Sequence, residues 1–430
     1  MVATFSHYNN PLRAEAANQC DRRVLATRAC RGRRPAADAR TTGDAPTPME
    51  ASAMIALTAE QESRAAMLHR NALIIDTLSG EPTVFSEAML IRLKEMAVRA
   101  APTSKILGEL DRLGTDALVR GELPEYWEWW DASGVDVIST TVAPFGRIPF
   151  SYEAALTGLA RLTRRFDGLD RLVKVTRAAD LERVRGERHG MILNFQNTTA
   201  FGLDLDLLDL FYDLGVRVIQ LTYNSRNFVG DGCTERSDGG LSHFGLTVIK
   251  RMNERGILID LSHCGLRTTM DAIRASNRPV AITHSFSREL SAHDRGKTDE
   301  IMRALAERNG YFGILIVPFF ITAEPTATLE HFLAHVARAI DIMGVGRVGI
   351  GTDWGAVFPK TLEALLDAEM VKFGFRPEHR TRWGARVEGF TSWRDWPNIT
   401  RALVWRGYSD DEITGILGRN FLRIFRDVVG

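Results

Sequence analysis

Two histidines stand one strand–helix repeat apart in GILIDLSHCGLRTTMDAIRASNRPVAITHSFSREL, residues 256–290. The apolar runs ILIDLS and VAIT lead into His263 and His284, and the segment between them has helical periodicity. Adjacent parallel strands lie about 5 Å apart. Two imidazoles at the same level on neighbouring strands can therefore meet one ion, and zinc accepts a histidine nitrogen at about 2.0–2.1 Å. A single histidine that ends an apolar run is more often a hydrogen-bonded structural residue. Two on consecutive runs, with Asp353 closing the last one in RVGIGTD, favour a metal site. Asp353 could ligate the ion or take a proton from water. Ser262 and Thr283, which precede the histidines, read as structural residues, and Cys264 as a small buried one.

These residues need a scaffold that ends several strands at one place. Apolar, β-branched runs recur at Leu73–Asp76 and near residues 134, 190, 215, 256, 279, 310 and 347, with helical stretches such as LDLLDLFYDL and TLEHFLAHVARAIDIM between them. Near-continuous apolar runs suit a parallel sheet buried on both faces. Eight of them alternating with helices predict a (β/α)8 TIM barrel, whose active site lies at the C-terminal strand ends. A doubly wound open sheet is the rival, but no GxGxxG follows the first run. Other residues at the strand ends are Asp76, Thr77 and Leu78; Gln196 and Asn197; and Tyr223 and Asn224. The C-terminal GYSDDEITGILGRNFLRIFRDVV reads as helix, short link, helix, packed outside the barrel. Trp127, Trp129 and Trp130 read as a helix face packed on the barrel rather than a pocket lining.

The balance of the chain narrows the partners. Its 430 residues carry 54 Lys+Arg and 54 Asp+Glu. Zero net charge disfavours nucleic-acid or membrane-surface binding, and no run is long enough to span a bilayer. The four cysteines have no zinc-finger or CxxC spacing, which suits reduced thiols and a cytoplasmic setting. Residues 1–54 are Arg-, Ala-, Thr- and Pro-rich and are expected to be a disordered extension, or to precede a true start at Met49 or Met54. Residues 55–430 are expected to form one barrel domain.

The segments LGVRVIQLTYNSRN, GLSHFGLTVIKRMNERGILIDLSHCG, PVAITHSFSREL, RVGIGTDW and PNITRALVWRGYSDDEITGILGRNFLRIF resemble the membrane dipeptidase (renal dipeptidase, M19 peptidase) family of the amidohydrolase superfamily. The resemblance runs from about residue 70 to 426, in order and spacing. It implies a (β/α)8 barrel that holds zinc and cleaves dipeptides with a free C-terminal carboxylate, often as a homodimer. His263 and His284 match the two histidines of one metal site. Asp353 matches the aspartate that handles the proton, and Arg295 the arginine that holds the substrate carboxylate. Tyr223 falls where the family contacts substrate, and Asn224 beside it at the strand end is a further candidate substrate contact.

Three family ligands are replaced. In DTLSG, Leu78 and Gly80 stand where the family has a His and an Asp, and Gln196 replaces the bridging glutamate. Tyr223 stands for a substrate-contacting histidine, and a phenol can donate to a developing oxyanion. The expectation is a hydrolase with one divalent ion per chain, zinc, held by His263, His284, weakly by Gln196, and by Asp353. Asp76, Glu81 and Asn197 are further candidates. The competing readings are a non-catalytic ligand-binding relative and another single-metal reaction.

Overall fold

The computed structural model describes residues 55–142, 150–184 and 187–430. The expected N-terminal extension lies outside the described residues. Thr58 opens the first helix, Ala59–Asn71, with a capping box: its hydroxyl accepts from Gln61 N, and Gln61 Oε1 accepts from Thr58 N.

Eight parallel strands follow at the expected places: β1 Ile75–Asp76, β2 Val137–Thr141, β3 His189–Phe195, β4 Val216–Gln220, β5 Leu258–Asp260, β6 Ala281–Ser285, β7 Tyr311–Ile314 and β8 Val348–Ile350. Each pairs with the next in chain order, as a barrel requires and an open doubly wound sheet does not. Thr77 N donates to Ile350 O at 3.0 Å and Asp353 N to Leu78 O at 2.9 Å, so β8 returns to β1. The rival open sheet is thereby excluded. A short strand missed in the sequence, Leu172–Lys174, pairs with His189–Met191 at the start of β3, ahead of the residues that pair with β4.

The strand interior is narrow. Thr77 Oγ1 donates to Thr283 O at 2.6 Å. A Cβ at Gly313 or Gly351 would lie 2.0 or 2.1 Å from that same carbonyl, so only glycine fits there.

At the other end, the strands contribute Ile75, Val137, Ile192, Val218, Leu258, Ala281 and Tyr311 to one apolar layer. Phe421, Ile424, Phe425 and Val428 of the last helix, Asn420–Val429, pack on it. Their i, i+3, i+4, i+7 spacing puts all four on one face. That helix lies outside the ring of strands, over its N-terminal mouth. The expected link before it is instead a π-helical turn, Gly415–Arg419, that joins Asp410–Thr414 to Asn420–Val429. Close backbone approach explains part of this sequence: a Cβ at Gly418 would sit 2.2 Å from Leu73 O.

Between β1 and β2 the chain inserts helices Glu87–Val98, Thr103–Val119 and Pro124–Ser133. Trp130, on the third, is fully buried, donates from Nε1 to Val135 O at 2.9 Å and stacks on His189. Trp127 stacks on the same histidine, and Arg394 lies over Trp129. The three indoles serve packing, as their helical spacing suggests. No helix among the described residues is long and apolar enough to cross a membrane.

Candidate active site

His263, His284 and Asp353 converge at the C-terminal ends of β5, β6 and β8. One ligand atom from each lies within 4.8 Å of the others. Each histidine is oriented through its Nδ1. His263 Nδ1 lies 2.7 Å from Asn224 Oδ1, and Asn224 Nδ2 donates to Phe373 O at 2.7 Å. The second bond fixes which end of the amide faces the imidazole. His263 Nδ1 is then the donor, and Nε2 carries the lone pair. That Nε2 is buried without a hydrogen-bond partner.

His284 is held by a longer chain. Its Nδ1 lies 2.8 Å from Thr283 Oγ1, whose hydroxyl donates to Asp260 Oδ2 at 2.9 Å. Asp260 also accepts from Ser262 N, Ser262 Oγ and Thr283 N. This carboxylate is fully inside the barrel, and burial raises its pKa. Ser262 and Thr283 are thus structural, and their task is to orient the histidine. Such partners behind a ligating histidine fix its tautomer and raise its basicity.

Burial, then the Arg295 charge, holds both histidines well below the usual range. Both are therefore neutral, as ligands must be. Burial pushes Asp353 up to about 7, while Arg295 pulls it down. Asp353 has a φ of +52°, a left-handed conformation that costs energy for a residue with a Cβ. The bond from its amide to Leu78 O helps to hold it there.

The remaining expected residues fall as follows. Gln196 Nε2 is 3.3 Å from His284 Nε2, so its amide points at the site. Tyr223 stacks on His263 with ring centroids 4.0 Å apart, and burial raises its phenol pKa. Asn224, expected at the substrate, has both amide ends engaged with protein and positions His263 instead. Arg295 is fully buried; Nη2 donates to His284 O at 2.7 Å, Nη1 donates to Ser262 O, and Nε is without a partner. It lies behind the ligand strands rather than on an open wall.

Asp76, Glu81 and Asn197 are engaged elsewhere. Asp76 accepts from Thr352 N and Oγ1 and ties β1 to β8. Glu81 pairs with Arg165 and accepts from Tyr126 at 2.6 Å. Asn197 accepts from Thr198 N and Asn227 Nδ2.

A cavity of about 350 Å³ opens beside these residues, with Leu78, Gly80, Gln196 and Asp353 in its wall. Leu78, Gly80 and Gln196, the positions expected from the family resemblance to differ from its ligands, thus share one wall with Asp353.

The model of the membrane dipeptidase family (peptidase family M19) matches residues 64–372. The chain belongs to this family. Among curated relatives it is 32% identical over 219 residues to dipeptidase verJ of Clonostachys rogersoniana, covering 50% of each chain. To dipeptidase tcpJ of Claviceps purpurea it is 26% identical over 263 residues, 60% of this chain and 56% of the other. The match spans about half the length of these two relatives. An amidohydrolase structure from Pseudomonas aeruginosa superposes with a TM-score of 0.67 at 25% identity, over 85% of this chain and 98% of that one. A metallopeptidase from Rhodobacter sphaeroides, liganded with a phosphinate mimic of L-Ala-D-Ala, shares the fold with a TM-score of 0.60 at 18% identity, over 83% and 99%. This dipeptidase-family barrel therefore shares the overall architecture of these structures.

Proposed function

We propose that this protein is a metal-dependent hydrolase that cleaves an amide bond in a small carboxylate-bearing substrate, with a single divalent ion, zinc, per chain. The observation that carries the reading is the buried, unpartnered Nε2 of His263, aimed at the same point as His284 and Asp353. An orphaned buried acceptor is costly, and a cation relieves that cost. Two neutral imidazoles and a carboxylate are a donor set suited to zinc, with Gln196 as a weak fourth ligand.

A bound divalent ion supplies Lewis-acid polarisation of a carbonyl and acidification of water. The chain's own residues do the rest. Asp353 Oδ takes a proton from the attacking water and returns it to the leaving nitrogen, a role its place at the strand end beside the cavity allows. Tyr223, kept protonated by burial, offers its O–H to the oxygen that gains charge. Arg295, buried behind the strands, sets a fixed positive charge beneath the site that favours a carboxylate-bearing substrate. Asn224 and Asp260 hold the imidazoles in register.

The test is metal analysis and amide hydrolysis on the zinc-loaded protein. One tightly bound ion and turnover of small amides are expected. His263→Ala and His284→Ala should each abolish both. A folded protein that binds no divalent ion would favour the ligand-binding alternative. Two tightly bound ions would overturn the single-site model.

A further inference from the structure

The cavity beside Asp353 has an unusual balance for a site that receives a free dipeptide. Leu78, Val84, Phe85, Leu107, Phe358 and Trp383 are among its walls. Phe358 packs edge-on against both Phe85 and Trp383, so one side is an aromatic cluster. The charged residues among the described lining are Glu81, Asp111, Arg161, Arg165 and Asp353. Arg165 is buried and pairs with both Glu81 and Asp111, and Arg161 pairs with Asp111. Each lining carboxylate other than Asp353 is thus neutralised inside the wall.

A dipeptide brings an α-ammonium to the acyl side of the scissile bond. A buried ammonium needs an unpaired anion. Asp353, the one remaining carboxylate, is assigned to the ion and the proton. Leu78 and Gly80 add an apolar side chain and a bare backbone where further carboxylate could have stood. What the cavity offers is volume and apolar surface directly beside the reacting end.

We infer that the acyl half of the substrate is an apolar chain or ring with no free ammonium, so that the preferred amides are N-acyl amino acids rather than dipeptides. The inference rests on the hydrolase reading. In the reaction, water oxygen bonds to the acyl carbon and the C–N bond breaks. The amine nitrogen takes a proton, which leaves an apolar carboxylic acid and an amino acid.

Two measurements on the zinc-loaded full chain test this. The first is the affinity of butanoate, hexanoate and octanoate by calorimetry; none of them can be hydrolysed. The second is kcat/KM for N-acetyl-, N-hexanoyl- and N-octanoylglycine against glycylglycine. Each pair of added methylenes should tighten binding about tenfold, and kcat/KM should rise with chain length and exceed that of glycylglycine. Val84→Trp, on a half-buried segment without regular structure, should flatten the length dependence at unchanged melting temperature. Alkanoate affinity that does not change with length overturns the inference. So does faster cleavage of glycylglycine than of the N-acylglycines, which would leave the hydrolase reading intact. Length-dependent binding without hydrolysis of any amide supports the apolar acyl site and overturns the hydrolase reading instead.

Discussion

Asn224 shows how far a residue's role depends on what lies behind it. Its position after Tyr223 suggests substrate contact, yet its amide is clamped between Phe373 O and His263 Nδ1. Asn224→Leu should therefore weaken zinc binding about 10- to 100-fold while the protein stays folded, as removal of such a partner does elsewhere. Competition with a chelator of known affinity measures it. The expected ligand replacements can be tested by restoration. Leu78→His, Gly80→Asp and Gln196→Glu together should add a second bound ion and raise activity on simple L,L- and L,D-dipeptides. Gly80 tolerates this change: a Cβ there meets nothing within 4 Å, and its φ is not among the positive ones. A folded triple variant that still binds one ion by elemental analysis would count against the placement of Leu78 and Gly80.

Two packed elements carry measurable stability. The last helix closes the N-terminal mouth of the barrel with Phe421, whose ring meets Tyr311 at a centroid distance of 5.2 Å. Phe421→Ala should cost about 3–5 kcal/mol in urea unfolding, because it empties space shared by several strands. On the helix Leu329–Met343, His335 is buried, and both its ring nitrogens are used. Nε2–H donates to Ile321 O at 2.8 Å and Nδ1 accepts from Ser287 N at 3.2 Å. Burial lowers its pKa from the usual 6.5 to about 4. A base with a depressed folded pKa contributes stability above its unfolded value that is lost as pH falls towards the folded one. Melting temperature should fall between pH 6.5 and 4, and His335→Gln should reduce that slope while lowering the melting temperature at pH 8. An unchanged slope would remove His335 as the cause.

At the scale of the whole molecule, the described barrel begins at Ile55 and closes its own mouth with its last helix. Ile55 is buried, and its carbonyl accepts from Arg401. A chain beginning at Met54 keeps these contacts and should retain the melting temperature and metal content of the full chain. Differential scanning calorimetry and elemental analysis check both; a large loss in either would show that residues 1–53 contribute to the barrel.

The eight strands and the meeting of His263, His284 and Asp353 were legible in the sequence because burial on both faces demands continuous apolar runs, and polar residues at their ends stand out against them. Thr58 and Gln61 declared their cap for a similarly local reason. Leu172–Lys174 escaped because three residues between charged neighbours carry no periodicity. The partners of Asn224, the four hydrogen bonds on Asp260 and the burial of Arg295 join residues far apart in the chain. No local pattern encodes such pairings. The cavity was equally hidden: its walls come from the insertion after β1, the end of β2 and the helix Tyr152–Gly168, Gln196 at the end of β3 and the segment after β8, and only closure of the barrel brings them to one place.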